Sequence, residues 1–231
     1  MVEKFELKDI VLIGRIFEEY YKMFQMDRID KDEKILDVAS GVSSFCAEAN
    51  LNGYNVMASD KIYRFSPFEI EEKCAHDLDI VIEELQDVKE HYKWEFFKNM
   101  NSYKEIRKTA YKKFINDFKE KKHHRYVDTE FPETKFKNNQ FTISLVSHFL
   151  FLYDEHLSYE FHNKTIKELI RITSDEIRIF PIVNLRWKTS PFVSVLMEDP
   201  EFANHDITIQ KVDYEFVKNG NEMLKLKIES N

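Results

Sequence analysis

Between residues 7 and 26 apolar side chains fall at Ile10, Ile13, Phe17, Tyr20, Tyr21 and Phe24, spacings that line them up along one stripe of a helix. The pattern then changes. Ile35, Leu36 and Val38 form a short apolar run, the mark of a strand covered on both faces, and it ends in Ala39-Ser40-Gly41, small residues that let backbone approach a ligand. Ser43 and Ser44 predict a helix start, and Gly53-Tyr-Asn-Val-Met-Ala-Ser-Asp60 predicts a second strand that finishes on a carboxylate.

Residues Ile62 to His124 contain no strand pattern. Leu78, Val81, Ile82, Leu85, Val88 and Tyr92 make one helical stripe, and Tyr103, Ile106, Ala110, Phe114 and Phe118 make another. Because one helix suffices to connect adjacent parallel strands, this stretch reads as a helical insertion after the second strand. Arg125-Tyr-Val-Asp128 and the β-rich Gln140 to Ser147 predict the third and fourth strands. A helix from Phe161 to Arg171, a fifth strand from Glu176 to Val183 and a helix opening at Ser190-Pro191 continue the alternation. Ile207 to Val217 is then predicted to pair with Met223 to Ile228 through the tight turn Lys218-Asn219-Gly220-Asn221. The expected architecture is α/β, one domain over residues 1–231, its sheet mostly parallel with a closing antiparallel hairpin.

Charge and composition sharpen this picture in a few places. Net charge is −8, yet Tyr103 to Arg125 carries nine Lys/Arg against three Asp/Glu. Such a charge-rich helix reads first as a solvated face, with an anionic partner as the sharper alternative. The most apolar stretch, Ile143 to Tyr153, is broken by Ser144, Ser147 and His148 and is far shorter than the ~20 residues that span a bilayer. Two cysteines and an amino terminus without a signal-peptide apolar region make the cytoplasm the expected compartment. His123, His124 and His162 form no ligand set with those cysteines, so no metal is expected.

A helix that opens just after a strand directs free N–H groups into the crevice at the strand's carboxyl end, where open α/β sheets bind ligands. Asp60 follows Asp37 by 23 residues, close to the ~20 at which an acidic residue meets ribose hydroxyls in nucleotide-binding units. The dinucleotide fingerprint needs three glycines, and this turn has only Gly41. The row Leu-Asp-Val-Ala-Ser-Gly instead resembles motif I of the class I S-adenosylmethionine-dependent methyltransferases, with Ala39 at its first glycine and Gly41 at its second. Thr129 to Phe141 resembles that superfamily's run Gly-Asp-x-x-x-Leu-Pro-Phe-x-Asp-x-x-Phe-Asp, where Glu130 matches the acidic residue and Phe136 the phenylalanine. Arg15 to Phe24 resembles the aromatic helix that folds over bound cofactor in several members, and the closing segment looks like bacterial methyltransferase-like proteins of unassigned substrate.

The resemblance implies a Rossmann-like methyltransferase sheet and S-adenosylmethionine as cofactor. It implies contacts from Tyr20, from Asp37, Ala39, Ser40, Gly41 and Ser44 around the first turn, and from Asp60 and Lys61 after the second strand. It further implies Asp128 or Glu130 beside adenine, and Ser147 and His148 facing the methyl-transfer site. In-line methyl transfer needs alignment and, for a protonated acceptor, a base. His148 is the candidate base, with a pocket-shaping role as its alternative. The insertion Ile62–His124 is the expected lid and acceptor-recognition region, with Trp94, Arg107, Tyr111 and Tyr153 as candidate acceptor contacts. The acceptor is expected to be a small molecule, with an anionic acceptor or RNA as alternatives. Motifs of amino-directed and cytosine-carbon-directed nucleic-acid methyltransferases are missing. Two other functions stay open: a cofactor-binding regulator without turnover, because Ala39 alters motif I, and a nicotinamide-dependent oxidoreductase, which the single glycine disfavours.

Overall fold

The computed structural model describes residues 11–229. Seven strands form one sheet in the order β3-β2-β1-β4-β5-β7-β6. β1 (Lys34–Val38), β2 (Asn55–Ser59), β3 (Tyr126–Val127), β4 (Phe141–Ser147) and β5 (Thr173–Phe180) run parallel. β6 (Asp206–Lys211) and β7 (Glu222–Lys227) close the sheet as an antiparallel hairpin, with β7 also antiparallel to β5. The order reverses between β1 and β4, so the crevice of this sheet lies beyond their carboxyl ends. Strand β1 reads as the sequence predicts because it is central: Ile35, Leu36, Asp37 and Val38 are all buried.

The helices are α1 (Phe17–Met23), α2 (Phe45–Leu51), α3 (Pro67–Asp87), α4 (Met100–Arg125), α5 (Tyr159–Ile172) and α6 (Pro191–Glu198). Their starts carry the caps that the sequence offers: Ser66 accepts from the Glu69 N–H, Asn99 from Ser102, Ser158 from Phe161 and Ser190 from Phe192. Residues 62–124 indeed hold two long helices. The aromatic side of α4 packs through Phe114 and Phe118 onto Tyr63 and Tyr126, with ring centroids 5.1–5.8 Å apart.

Two expected elements are shorter than predicted. The helix expected over residues 7–26 is confined to α1, and residues 11–16 form no helix; residues 7–10 lie outside the described residues. The reason is contact: a Cβ on Gly14 would meet the Val42 carbonyl oxygen at 2.2 Å, so the segment lies flat against the turn after β1. The expected Asn-Gly hairpin turn is replaced by a loop over residues 212–221. Asn219 does turn left-handed, with φ of 62°, but Tyr214 and Phe216 leave the hairpin to join aromatics of the α3–α4 connection. Burial of these rings outweighs a longer edge ladder.

Candidate active site

At the end of β1 the backbone turns hard. Ala39 has φ of 48° and Gly41 of 57°. A left-handed residue other than glycine costs ~1–2 kcal/mol, so Ala39 adopts a glycine conformation at the position where motif I has glycine. Neighbouring bonds hold it there: the Ser40 N–H donates to Ser59 O (3.1 Å) and the Ser43 N–H to Ser40 O (3.2 Å). His148, just past β4, is also left-handed, with φ of 52°. Two strained residues thus flank the crevice from adjacent strands, which is where folds keep such strain.

Asp37 sits beneath this turn with no exposure. It accepts hydrogen bonds from the Ser40 hydroxyl (2.5 Å) and the Tyr20 hydroxyl (3.0 Å), and Tyr20 stacks on Phe45 at 4.1 Å. Burial raises its pKa to about 7, opposed by those two donors and reinforced by the charge of Asp60. Tyr20 is pushed well above its ordinary value by burial and by Asp37.

Asp60 turns back over the same loop. Its Oδ2 accepts from the Gly41 N–H (2.8 Å) and its Oδ1 from the Ile62 N–H (2.9 Å), tying the end of β2 to the turn after β1. Each oxygen keeps a further lone pair for a ligand. Burial raises the Asp60 pKa against these two N–H donors. The Tyr63 hydroxyl donates to Gly41 O (3.0 Å). A Cβ on Gly41 would meet nothing within 4 Å, so the loop's outer face is open. Ser44 is occupied, its hydroxyl donating to Glu48 (2.5 Å) and its N–H to Arg15 O (2.9 Å).

Asp128 and Glu130 lie beyond β3 on an exposed rim. Arg64 donates to Asp128 from Nε and Nη2 (3.1 and 2.9 Å), and Lys61 reaches Glu130 at 3.4 Å. Across the crevice Ser147 Oγ lies 2.9 Å from His148 Nδ1. Burial, then the charges of Arg15 and Arg107, hold the His148 pKa well below the usual histidine value. Its imidazole is neutral at pH 7, the form in which a histidine accepts a proton.

The four candidate acceptor residues are scattered. Tyr153 ends the short helical turn that follows β4, its N–H donating to Leu150 O (3.1 Å). Trp94 packs edge-on against Phe216 (5.4 Å) and Tyr103 (6.3 Å), and Tyr111 is buried, its pKa raised chiefly by that burial. Arg107, one of the nine cations between Tyr103 and Arg125, is not on a solvated face. Its guanidinium is 2% exposed and binds Glu19 twice (2.5 and 2.8 Å) and Gly14 O (3.1 Å). Lys104 of the same helix pairs with Asp79 of α3 at 2.7 Å. Arg107 thus holds the insertion to α1 and the segment before it, while Lys104 ties the two helices of the insertion to each other.

The connection between α3 and α4 reaches over the carboxyl edge to the β6–β7 loop. The Lys93 N–H donates to Phe216 O (2.7 Å), the Lys218 N–H to His91 O (2.9 Å), and the His91 ring stacks on Trp187 at 3.6 Å. Sequence reasoning missed Glu19, Tyr63 and Arg15 as shapers of the site. Their bonds join segments remote in the chain, and no local pattern marks them. Gly14 is testable: Gly14→Ala, which must displace the Val42 carbonyl, is expected to lower unfolding free energy by ~1–3 kcal/mol in a urea titration.

The order of the strands, the terminal hairpin and the crevice beyond β1 and β4 define the class I methyltransferase fold. No family model matches the chain. The chain is 50% identical over 222 residues to the uncharacterized protein MJ0045 of Methanocaldococcus jannaschii, covering 96% of this chain and 97% of that one, and it belongs to the same family. Among solved structures it is similar to the magnesium protoporphyrin IX methyltransferase of Synechocystis with bound SAM, at 10% identity and a TM-score of 0.47, covering 89% of this chain and 74% of that one. A SAM-dependent methyltransferase of Methanosarcina mazei is similar at 11% identity and a TM-score of 0.47, over 90% of this chain and 98% of that one. Among the described residues no helix is long and apolar enough to cross a membrane.

Proposed function

We propose that this protein is an S-adenosylmethionine-dependent methyltransferase, and that the turn after β1 with the Asp60 carboxylate closed upon it holds the cofactor. The observation that carries this reading is the juxtaposition of an open Gly41 face, the Asp60 carboxylate and the Ser147-His148 corner around one crevice. The cofactor supplies a methyl group on a sulfonium. In this reading Asp60 orients the ribose hydroxyls with the lone pairs left by Gly41 and Ile62. Ala39, Ser40 and Gly41 present backbone to the methionine end, with Asp37 and Tyr20 beneath, and Lys61 fixes the rim through Glu130. Neutral His148, oriented by Ser147, receives a proton from a protonated acceptor. The α3–α4 connection with the β6–β7 loop roofs the acceptor side, and an acceptor of small size suits it. Turnover rather than binding alone is favoured by His148, whose neutral imidazole adds a proton acceptor to a cofactor cradle.

Calorimetry with S-adenosylmethionine, S-adenosylhomocysteine, NAD and NADH tests the assignment. Binding of the first two and not the last two is expected; tight dinucleotide binding without a response to S-adenosylhomocysteine would overturn it. Asp60→Ala is expected to weaken S-adenosylhomocysteine binding by ~1.5–3 kcal/mol, the worth of hydrogen bonds to a charged group. It also frees the Gly41 and Ile62 N–H groups, so a lowered melting temperature should accompany the loss. Unchanged affinity in the folded variant would show that the carboxylate faces only its own backbone.

A further inference from the structure

A row of polar groups runs in one direction from His148 to Asp37. The Tyr20 hydroxyl donates to Asp37 Oδ1 at 3.0 Å. The hydroxyls of Ser147 and Ser43 act on Tyr20 as hydrogen-bond partners in the sense that lowers its pKa, which is donation to the phenol oxygen. Ser147 Oγ lies 2.9 Å from His148 Nδ1. A serine hydroxyl has a single proton, so with that proton turned to Tyr20, Ser147 meets His148 as an acceptor. The imidazole is therefore the tautomer with hydrogen on Nδ1 and a bare Nε2. Among the described residues Nε2 has no hydrogen-bond partner.

The two ends of this row are unequal. Burial holds His148 well below the usual histidine value, and the charges of Arg15 and Arg107 add to it. Burial lifts Asp37 to about 7 against the Ser40 and Tyr20 donors, and the Asp60 charge adds to that. A proton given to His148 thus runs downhill to Asp37, the reverse of the usual order of an imidazole and a carboxylate. Tyr20, in the middle, is kept neutral by burial and can hand one proton on only as it receives another. Cys46 and Tyr63, which also feel the Asp37 charge, are held protonated by burial and take no part.

We propose that Asp37 is the resting place of the proton released in methyl transfer, reached from His148 through Ser147 and Tyr20. This rests on the methyltransferase reading. The acceptor atom attacks the methyl carbon with a lone pair and keeps the electron pair of its bond to hydrogen as the proton leaves. The carbon–sulfur pair stays on sulfur, so a sulfonium becomes a thioether. The proton goes to His148 Nε2, the Nδ1 proton to Ser147, the Ser147 proton to Tyr20 and the Tyr20 proton to the carboxylate. Sulfonium and carboxylate are thereby discharged in one step, and no lone charge is left inside the crevice. The row then faces the other way and resets when Asp37 returns its proton by the same path after the product leaves. Asp37, Tyr20 and Ser147 act through His148 and are positioning residues.

S-adenosylmethionine and S-adenosylhomocysteine differ by that one sulfonium charge, so the test needs no acceptor. Calorimetry at pH 7 in buffers of different ionisation enthalpy counts the protons exchanged as each ligand binds, with Asp37→Asn as the reference for what the ligands' own groups contribute. Asp37, with a pKa of about 7, is half protonated there, so wild type is expected to release about half a proton more than Asp37→Asn with S-adenosylmethionine and to take protons up with S-adenosylhomocysteine. Nitrogen-15 NMR of the His148 ring tests the path. Wild type is expected to show the Nδ1–H tautomer and a shift centred where Asp37 ionises, apart from the histidine's own titration at lower pH. Tyr20→Phe keeps both ends and removes the middle hydroxyl, and should lose that shift. An Nε2–H tautomer, or a shift that survives in Tyr20→Phe, overturns the path. Binding of both ligands with equal proton exchange overturns the proposal and leaves the methyltransferase reading standing. Failure of both ligands to bind wild type removes that reading and the proposed step with it.

Discussion

Glu19→Gln is expected to lower the unfolding free energy by about 3–5 kcal/mol, the cost of breaking a buried ion pair from one side. Glu19 has no exposure and Arg107 has 2%, and the guanidinium is further enclosed by the Phe97 and Tyr103 rings, 4.8 and 4.7 Å away. Removing the carboxylate charge strands Arg107 in a place water does not reach, beside a second cation, Arg15. Replacing both partners by methionine should recover most of the loss, because two apolar side chains of similar length leave no charge behind. Urea midpoints at a constant m-value check both statements. A loss below about 1 kcal/mol, the range of an exposed pair, would mean that solvent enters the cluster.

Asp37→Asn is expected to stabilise the protein in mild alkali and to do nothing in acid. With its pKa raised by burial to about 7 against an ordinary 3.8, native Asp37 holds a proton across a window in which the unfolded chain has lost it. Wild-type stability therefore falls as pH rises from about 4 to 7, by a ceiling of about 4 kcal/mol at 1.36 kcal/mol per pKa unit. Asparagine carries no ionisation, so the variant's advantage at pH 8 should be roughly 2–4 kcal/mol and should vanish near pH 4. His148 contributes with the opposite sense, since a histidine held neutral destabilises the native state as pH falls below 6.5. That contribution is common to both proteins and cancels in their difference. Melting temperatures of the pair from pH 4 to 8 decide the matter, and parallel curves would show Asp37 ionised in the fold.

The sheet was legible because its central strands obey local rules. Ile35-Leu36-Asp37-Val38 is apolar except at the one residue whose carboxylate the turn itself satisfies, and Asp60 marks the end of β2 by its spacing alone. The helical stripes of α3 and α4 stood out for the same reason, since each buries one face. Failures came where tertiary contact overrode a local signal. Ile13 continued a helical stripe, yet Gly14 had to lie against Val42; Asn219-Gly220 promised a tight turn, yet Tyr214 and Phe216 had better burial elsewhere. Arg107 looked like one cation among nine because a sequence does not show that Glu19, 88 residues earlier, is buried opposite it. Arg15 was missed for the same reason, because its carbonyl is held by Ser43 and Ser44, 28 and 29 residues later.

The bonds between the α3–α4 connection and the β6–β7 loop impose an order on synthesis. Lys93 and Glu215, which pair at 2.7 Å, are 122 residues apart, so the second half of that contact leaves the ribosome long after the first. Everything around Gly41, from the Asp60 clamp to the Tyr63 hydroxyl, lies within the first third of the chain and can close early. Tyr214, the last hydrogen-bond donor to Glu19, arrives with the roof. The nascent protein thus carries the Gly41 turn clamped by Asp60 with the crevice above it uncovered and its buried ion pair one hydrogen bond short, until the β6–β7 hairpin locks in place.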